Sequence, residues 1–516
     1  MKKLKSYLRA TVTQPEKSVL KFLLWWGFIF LLSILVRLPH FLSKNFWFDG
    51  DEAIIGIMAQ DLLAGNSFPF YFSGQNYGLS TFEVFSTGIF ELILGPGIWA
   101  LRLGGLLLFS LGVTFVLRTI QSDQLPRWLF AAILLLLVTF PTWYLWGSMV
   151  RGGYVTAFLF VCIIFYCLFR MKPSTVQLVL IGICSGIAFE SHVLILLPFS
   201  TLIAWWLLQQ ERILVKSVAI LTGFILTITL FRWFGYLDAA NWGGTQPTWG
   251  WNSQIENLQL QMHGLVAGFS SFSHFEMNIP RPLWWDILLK LFLIVSGIYL
   301  IWHFFYSKSV ERKQYLLIFL SISAYLILIS TIGTASPRYW IGLFTGLLFW
   351  LIVAICKDRT ATISILTVSV LCMISFAGIF SGSKMKQHWY DAGVNEIQAF
   401  EGFHKTVRET GAKAIFITDN FVQYQWNYLY GKEIPASMFR TKGERIERFC
   451  RRVNEIYKEN PDDVIMGGLW GVFFTMDTIQ GFNDDRLQVE TKYFINPNAR
   501  DEFVQQGLRF VEEKGG

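Results

Sequence analysis

Long apolar stretches separated by short polar loops dominate the chain, and about 20 consecutive apolar residues are what a helix needs to cross a ~30 Å hydrocarbon core. Such windows fall near 19–37, 98–119, 128–146, 152–170, 176–191, 193–208, 214–234, 285–306, 315–333, 338–356 and 361–381, which predicts about eleven spans. The window 193–208 is short, but Pro198 and the pair Trp205-Trp206 fit a tilted helix that ends at an interface. Segment 78–95 has another pattern: Phe82, Phe85, Ile89 and Ile93 share one helical face, and Glu83 and Glu91 interrupt the apolar run.

Charge decides how that segment lies. With 78–95 along the membrane surface, Arg118 and Arg127, Arg170 and Lys172, Arg212 and Lys216, Lys308, Arg312 and Lys313, and Lys357 and Arg359 all fall on the cytoplasmic side. Counting the segment as a span inverts every later loop, so it is predicted to be an interfacial helix. Lys2, Lys3, Lys5 and Arg9 precede an apolar run from Lys21 to Val36 that has no small-residue cleavage site, which predicts a retained first span and a cytoplasmic N-terminus.

This topology puts residues 38–97, the loop 236–284 and everything after about residue 382 on the outer face. From Ser383 the pattern becomes that of a soluble domain. Asn395–Glu409 reads as a helix broken by Gly411, Ala414–Thr418 as a buried strand, Lys442–Tyr457 as a charged helix, and Val464–Met466 and Val489–Phe494 as further strands. The predicted fold is an α-helical polytopic membrane protein of about eleven transmembrane helices, with juxtamembrane helices in the first outer loop and a small C-terminal α/β extracytoplasmic domain. The transmembrane domain covers 1–382 and the extracytoplasmic domain 383–516.

Composition agrees: 53% hydrophobic and 15% charged residues, with a mean hydropathy of +0.45, exclude an ordinary soluble protein and make the lipid bilayer a partner. The net charge of +7 is spread over short loops, so no nucleic-acid partner is implied. Cys162, Cys167, Cys184, Cys356 and Cys372 lie within apolar spans and Cys450 in the polar tail, which gives neither a disulfide framework nor a zinc spacing. Without an internal repeat, the inverted-repeat transporter pattern lacks support.

The candidate chemistry begins in Phe46-Trp47-Phe48-Asp49-Gly50-Asp51-Glu52-Ala53, three carboxylates directly after the first span. A charge near hydrocarbon costs about 2.5–3.5 kcal/mol on insertion scales, so such a cluster is a site hypothesis by default. Glu52 to Leu63 is patterned as a helix closed by Gly65, which puts Asp49 or Asp51 at its N-terminus. Capping and chemistry are both open to these residues from spacing alone.

Asp51-Glu52-Ala53, Gly65, Gly74-Gln75-Asn76-Tyr77 and Ala100-Leu101-Arg102-Leu103 together resemble the glycosyltransferase C superfamily over roughly residues 20–360. The branch most similar is that of protein O-mannosyltransferases and bacterial lipid A aminoarabinose transferases. The resemblance implies an inverting transfer of a monosaccharide from a polyprenyl-phosphate donor to a glycolipid, glycan or protein hydroxyl. Asp51 then acts on the acceptor, with Glu52 beside it and Asp49 as cap or helper. A phosphate leaving group needs little general-acid help, so one carboxylate base and one or two cations suffice. Arg338-Tyr339 and Arg151 are the candidates for the donor phosphate, the alternative being arginines that snorkel at helix ends. Glu190 and His192, at a turn between spans, and Gln75 and Tyr77 are candidate sugar or acceptor contacts.

The superfamily's second acidic site has only Asp238 and Glu190 as stand-ins, so no cofactor is assigned and a divalent metal stays open. The outer loop 236–284 carries Trp242, Trp249, Trp251, Trp284 and Trp285, suited to sugar stacking or to an aromatic belt. The expected location is the cell's inner membrane, multi-pass, with the active site extracytoplasmic. Alternative functions are an oligosaccharide ligase or polymerase using diphosphate-linked glycans, and a lipid or solute transporter.

Overall fold

The computed structural model describes residues 19–42, 48, 50–66, 68, 70–73, 78–120, 126–172, 174–237, 250–263, 298, 305, 309–332, 337–357, 401, 404, 405, 408, 414–417, 420–437 and 464–467. The predicted spans 285–306 and 361–381, the helix 442–457 and the strand 489–494 lie outside them, isolated positions aside.

The helices are α1 (Val19–Phe41), α2 (Gly50–Leu63), α3 (Thr81–Leu94), α4 (Ile98–Ile120), α5 (Arg127–Thr139), α6 (Pro141–Trp146), α7 (Tyr154–Arg170), α8 (Thr175–Leu207), α9 (Ile213–Leu237), α10 (Trp251–His263), α11 (Ser309–Ser330), α12 (Ile341–Lys357) and α13 (Asn420–Tyr430). Among the described residues, Val19–Leu38, Ile98–Ile120, Thr175–Leu207 and Ile213–Trp233 are long and apolar enough to cross a bilayer, and four shorter apolar helices accompany them. Leu20, Leu24, Leu31 and Leu35 of α1 and Leu214, Val218 and Leu226 of α9 are exposed, a surface suited to lipid. The chain is a multi-pass membrane protein.

Two windows are shaped by single residues. The window 128–146 is divided between α5 and α6 at Phe140-Pro141, because proline lacks an amide hydrogen and is accommodated at the first position of a new helix. The α8 segment begins with a capping box between Ser174 and Gln177 and contains one non-helical residue, His192 (φ −162°, ψ 97°). The Gln177 side chain reaches the Cys167 carbonyl at 2.5 Å, and the Trp205 ring lies 6.3 Å from that of Phe169. Both partners sit near the same end of α7, whereas an unbroken helix would hold Gln177 and Trp205 about 42 Å apart. The chain therefore reverses at His192, and 175–191 and 193–207 are antiparallel limbs, as the two separate windows predicted.

Helix α3 divides its two faces sharply. Its apolar side chains Phe85, Ile89, Leu92 and Ile93 are exposed, and Glu83, Ser86, Thr87 and Glu91 are buried against the protein. The apolar face of α3 is thus the outer one and its polar face packs on the protein.

In the C-terminal region, β1 (Ala414–Ile417) pairs in parallel with β2 (Ala436–Ser437) and β3 (Val464–Gly467), in the order β2-β1-β3. Two of these strands coincide with the predicted ones. Helix α13 is the crossover that parallel pairing of β1 and β2 requires, and it is absent from the sequence expectations. It docks on α2: Gln425 donates to the Phe48 carbonyl at 2.6 Å, and a Cβ on Gly56 would stand 2.2 Å from the Tyr428 ring. The Tyr428 hydroxyl also lies 2.9 Å from Glu91 Oε1 and 3.0 Å from the Gly97 carbonyl.

Candidate active site

Gly50, Asp51 and Glu52 open α2, where the positive end of the helix dipole favours carboxylates. Successive helical residues point about 100° apart, and the two acids meet different partners. Asp51, 22% exposed, accepts on Oδ2 from Arg151 Nε at 2.9 Å and Nη2 at 2.5 Å. Glu52 is fully buried and binds Arg102 of α4 at 2.8 Å, itself 1% exposed. Glu52 thus ties α2 into the bundle, and Asp51 is the acid that retains access to solvent.

Arg151 stands in the segment 147–153 between α6 and α7, with its guanidinium 5.6 Å over the Trp146 ring. That segment ends in Gly153, whose φ of 91° and approach to the Ser191 carbonyl (a Cβ would lie 2.7 Å away) both require glycine. Gly153 has no side chain to cap α7, and Glu83 of α3 supplies the acceptors instead. Its oxygens take the amides of Gly153 (3.2 Å) and Thr156 (3.3 Å) and the Thr156 hydroxyl (3.4 Å). Burial pushes the Glu83 carboxyl up to about 7, against the pull of those amides.

A third element closes the group. Tyr71 and Leu79 form an antiparallel bridge, and the amides of Gly78 and Leu79 donate to the Glu190 carbonyl at 3.1 and 3.0 Å. The Glu190 carboxylate accepts from the Tyr71 hydroxyl and from Arg232 Nε, each at 3.0 Å. Burial first, and Glu190 second, raise the Tyr71 phenol well above its ordinary range.

The His192 ring lies 3.9 Å from that of Tyr154, and Arg338 acts electrostatically on His192. Arg338 and Tyr339 belong to a short 3₁₀ turn, Pro337–Trp340, with the guanidinium 5.2 Å over the Tyr339 ring and Nη2 3.3 Å from its hydroxyl. Asp51 is among the groups whose charge acts on Arg338. The turn is anchored by Tyr325, which donates to the Tyr339 carbonyl. From the long loop, α10 packs beside the turn: Trp340 donates to the Gln261 carbonyl at 3.0 Å and Asn257 to Ser330 at 2.9 Å.

The structure therefore gathers Asp51, Arg151, Glu190, His192, Arg338 and Tyr339 around Tyr154 and the segment 78–79, and turns Glu52 away toward α4. Asp49, Gln75, Tyr77 and Asp238 lie outside the described residues, as do Trp242, Trp249, Trp284 and Trp285. For a divalent metal, no cluster of three His, Cys, Asp or Glu side chains occurs among the described residues. The Glu190 oxygens accept from a phenol and a guanidinium. Sequence reasoning missed Glu83, Tyr71, Tyr154 and Arg232 as members of the site. Their signal was weak, since an aromatic or charged residue at a helix end is ordinary.

No family model matches the sequence, and no curated protein does. Among solved structures the chain is similar to ArnT from Cupriavidus metallidurans in the apo state, at 14% identity and a TM-score of 0.47 over 85% of this chain and 93% of that one. It is also similar to ArnT from the same organism bound to undecaprenyl phosphate, at 13% identity and a TM-score of 0.44 over 80% and 86%.

Proposed function

We propose that the chain is an inverting membrane glycosyltransferase that moves a monosaccharide from a polyprenyl-phosphate carrier to an acceptor hydroxyl at the extracytoplasmic surface. The observation that carries this reading is Asp51, partly open to solvent, held by the buried Arg151 and within the electrostatic reach of Arg338. One carboxylate flanked by two guanidinium groups is the minimum that displacement of a phosphate requires. The motif resemblance supplies the substrate class, and the apolar surface of the bundle suits a lipid-linked donor.

In the resting arrangement Arg151 neutralises Asp51. Donor phosphate competes for Arg151 and Arg338, which present planar donors suited to a phosphate. Asp51 then faces the acceptor. Its carboxylate takes the hydroxyl proton as the acceptor oxygen bonds to the anomeric carbon, and the carbon–oxygen bond to phosphate breaks with both electrons leaving on the carrier phosphate. Attack opposite the leaving group inverts the anomeric centre. Glu52 holds α2 through Arg102, and Glu190, Tyr71 and His192 shape the sugar side.

The test is reconstitution of the purified chain in liposomes with a panel of undecaprenyl-phosphate monosaccharides and a membrane extract that supplies acceptors. Release of undecaprenyl phosphate with labelled sugar in the extract supports the reading. Consumption of diphosphate-linked glycans alone would replace it with a ligase, and uptake without turnover with a transporter.

A further inference from the structure

We propose that Glu83 is a positioning residue of this site: by capping α7 from a neighbouring helix, it sets where Arg151 stands against Asp51. The inference rests on the transfer reading above for its consequence, though its geometric half stands alone. The first amides of any helix lack partners within the helix and need an acceptor from elsewhere. At α7 the cap residue is Gly153, which offers none, and the preceding Gly152 also has a positive φ of 61°. Two adjacent glycines give this segment wide conformational freedom. Something outside it must fix its path.

Glu83 does so with both oxygens. It is fully buried, it is rooted in the first turn of α3, and it spans the Gly153 and Thr156 amides, with the Arg151 amide adding to its field. Arg151 lies two residues before the cap. The paired contact of its Nε and Nη2 with Asp51 tolerates little displacement of the backbone, since catalytic groups lose efficiency when misplaced by about 1 Å. Glu83 touches neither Asp51 nor the Arg151 side chain in any hydrogen bond the structure gives, so its influence on the chemistry runs through the backbone.

The experiment compares Glu83→Gln, Glu83→Asp and wild type as full-length protein in nanodiscs. Glutamine is isosteric but turns an amide group toward one of the two amide donors; aspartate keeps the charge and is one methylene short. Hydrogen exchange is followed on peptides covering 147–158, undecaprenyl phosphate is the binding probe, and transfer is resolved into kcat and KM. At pH 8, above the value of about 7 to which burial raises Glu83, loss of a charge-assisted hydrogen bond predicts exchange at 153–156 faster by about tenfold or more in Glu83→Gln. A similar fall in kcat should accompany it, with partial recovery of both in Glu83→Asp.

Unchanged exchange at 153–156 in Glu83→Gln would overturn the cap, and faster exchange with unchanged kcat would overturn the positioning role. A wild-type chain that neither binds undecaprenyl phosphate nor transfers sugar would refute the transfer reading. In that case exchange at 153–156 alone decides whether Glu83 orders the arginine segment, and an unchanged rate overturns the proposal.

Discussion

Replacing Glu52 with leucine separates the two neighbouring acids most cleanly. The substitution removes the carboxylate 2.8 Å from the Arg102 guanidinium, and both side chains are inaccessible to solvent, at 0% and 1% exposure. Removing one member of a buried ion pair destabilises a protein by about 3–5 kcal/mol, because the remaining charge keeps its desolvation penalty without its counter-charge. At ~1.4 kcal/mol per tenfold, that is a loss of roughly two to three and a half orders of magnitude in the folding equilibrium. Replacing both members by apolar residues of similar volume is often neutral or stabilising, so Glu52→Leu with Arg102→Leu should recover most of the loss. The chain carries 21 tryptophans, so its intrinsic fluorescence in detergent reports the melting temperature directly. The expected order is wild type close to the double variant, with Glu52→Leu well below. Wild-type melting of Glu52→Leu together with abolished transfer would refute the structural role and return Glu52 to the chemistry.

The neighbouring acid should behave in the opposite way. Asp51→Asn keeps size and an acceptor for Arg151, and should lower kcat by about 10²–10⁴ with a smaller fall in melting temperature than Glu52→Leu, because Asp51 is 22% exposed; transfer at the normal rate would reject Asp51 as the base. Arg338→Ala should weaken undecaprenyl phosphate binding measured by native mass spectrometry, and unaltered affinity would remove Arg338 from the phosphate site. Gly56→Ala puts a methyl group into the Tyr428 ring and should detach α13, visible as faster proteolysis after about residue 400; Tyr428→Phe, which loses the bonds to Glu91 and Gly97, should act more mildly. Burial raises Glu83 and Glu91 from the usual 4.5 to about 7, so between those values the folded chain holds protons that the unfolded chain has released. Their contribution to stability is therefore greatest at acid pH and declines as pH rises through about 7. Glu91→Gln should flatten that decline in melting temperatures taken from pH 5 to 8.

Much of this arrangement was legible in periodicity and charge. The apolar windows located the bundle, the pattern of 78–95 matched a helix that exposes Ile89 and Ile93, and the gap between 176–191 and 193–208 marked the reversal at His192. The resemblance set Asp51 apart from Glu52, but their partners were not legible, because adjacency in sequence says nothing about which group each finds at 100° intervals around a helix. Glu83 and Glu91 were visible as interruptions of an apolar stripe, without a sign of what either would bind. Sequence pattern identifies a helical face but not which side faces protein, and here the polar side is the buried one. Helix α13 escaped notice because Asn420–Tyr430 mixes amides with aromatics and owes its place to contacts with residues far away in the chain.

These contacts fix α2 from three directions. Arg102 holds it from within the bundle, Arg151 from the α6–α7 segment, and α13 from the C-terminal region, where Gln425 grips the residue three before Asp51. A carboxylate that must lose one partner to donor phosphate and gain an acceptor hydroxyl needs a backbone that does not follow either exchange. Preorganisation of this kind keeps reorganisation out of the chemical step. Arg151 is the one of the three restraints that acts on the Asp51 side chain itself, while the other two act on the helix that carries it. On the proposed mechanism, only Arg151 changes partner during a cycle, and Glu52–Arg102 and α13–α2 stay closed throughout. Cross-linking α13 to α2 should then leave turnover intact, whereas any restraint that locks Arg151 to Asp51 should stop it.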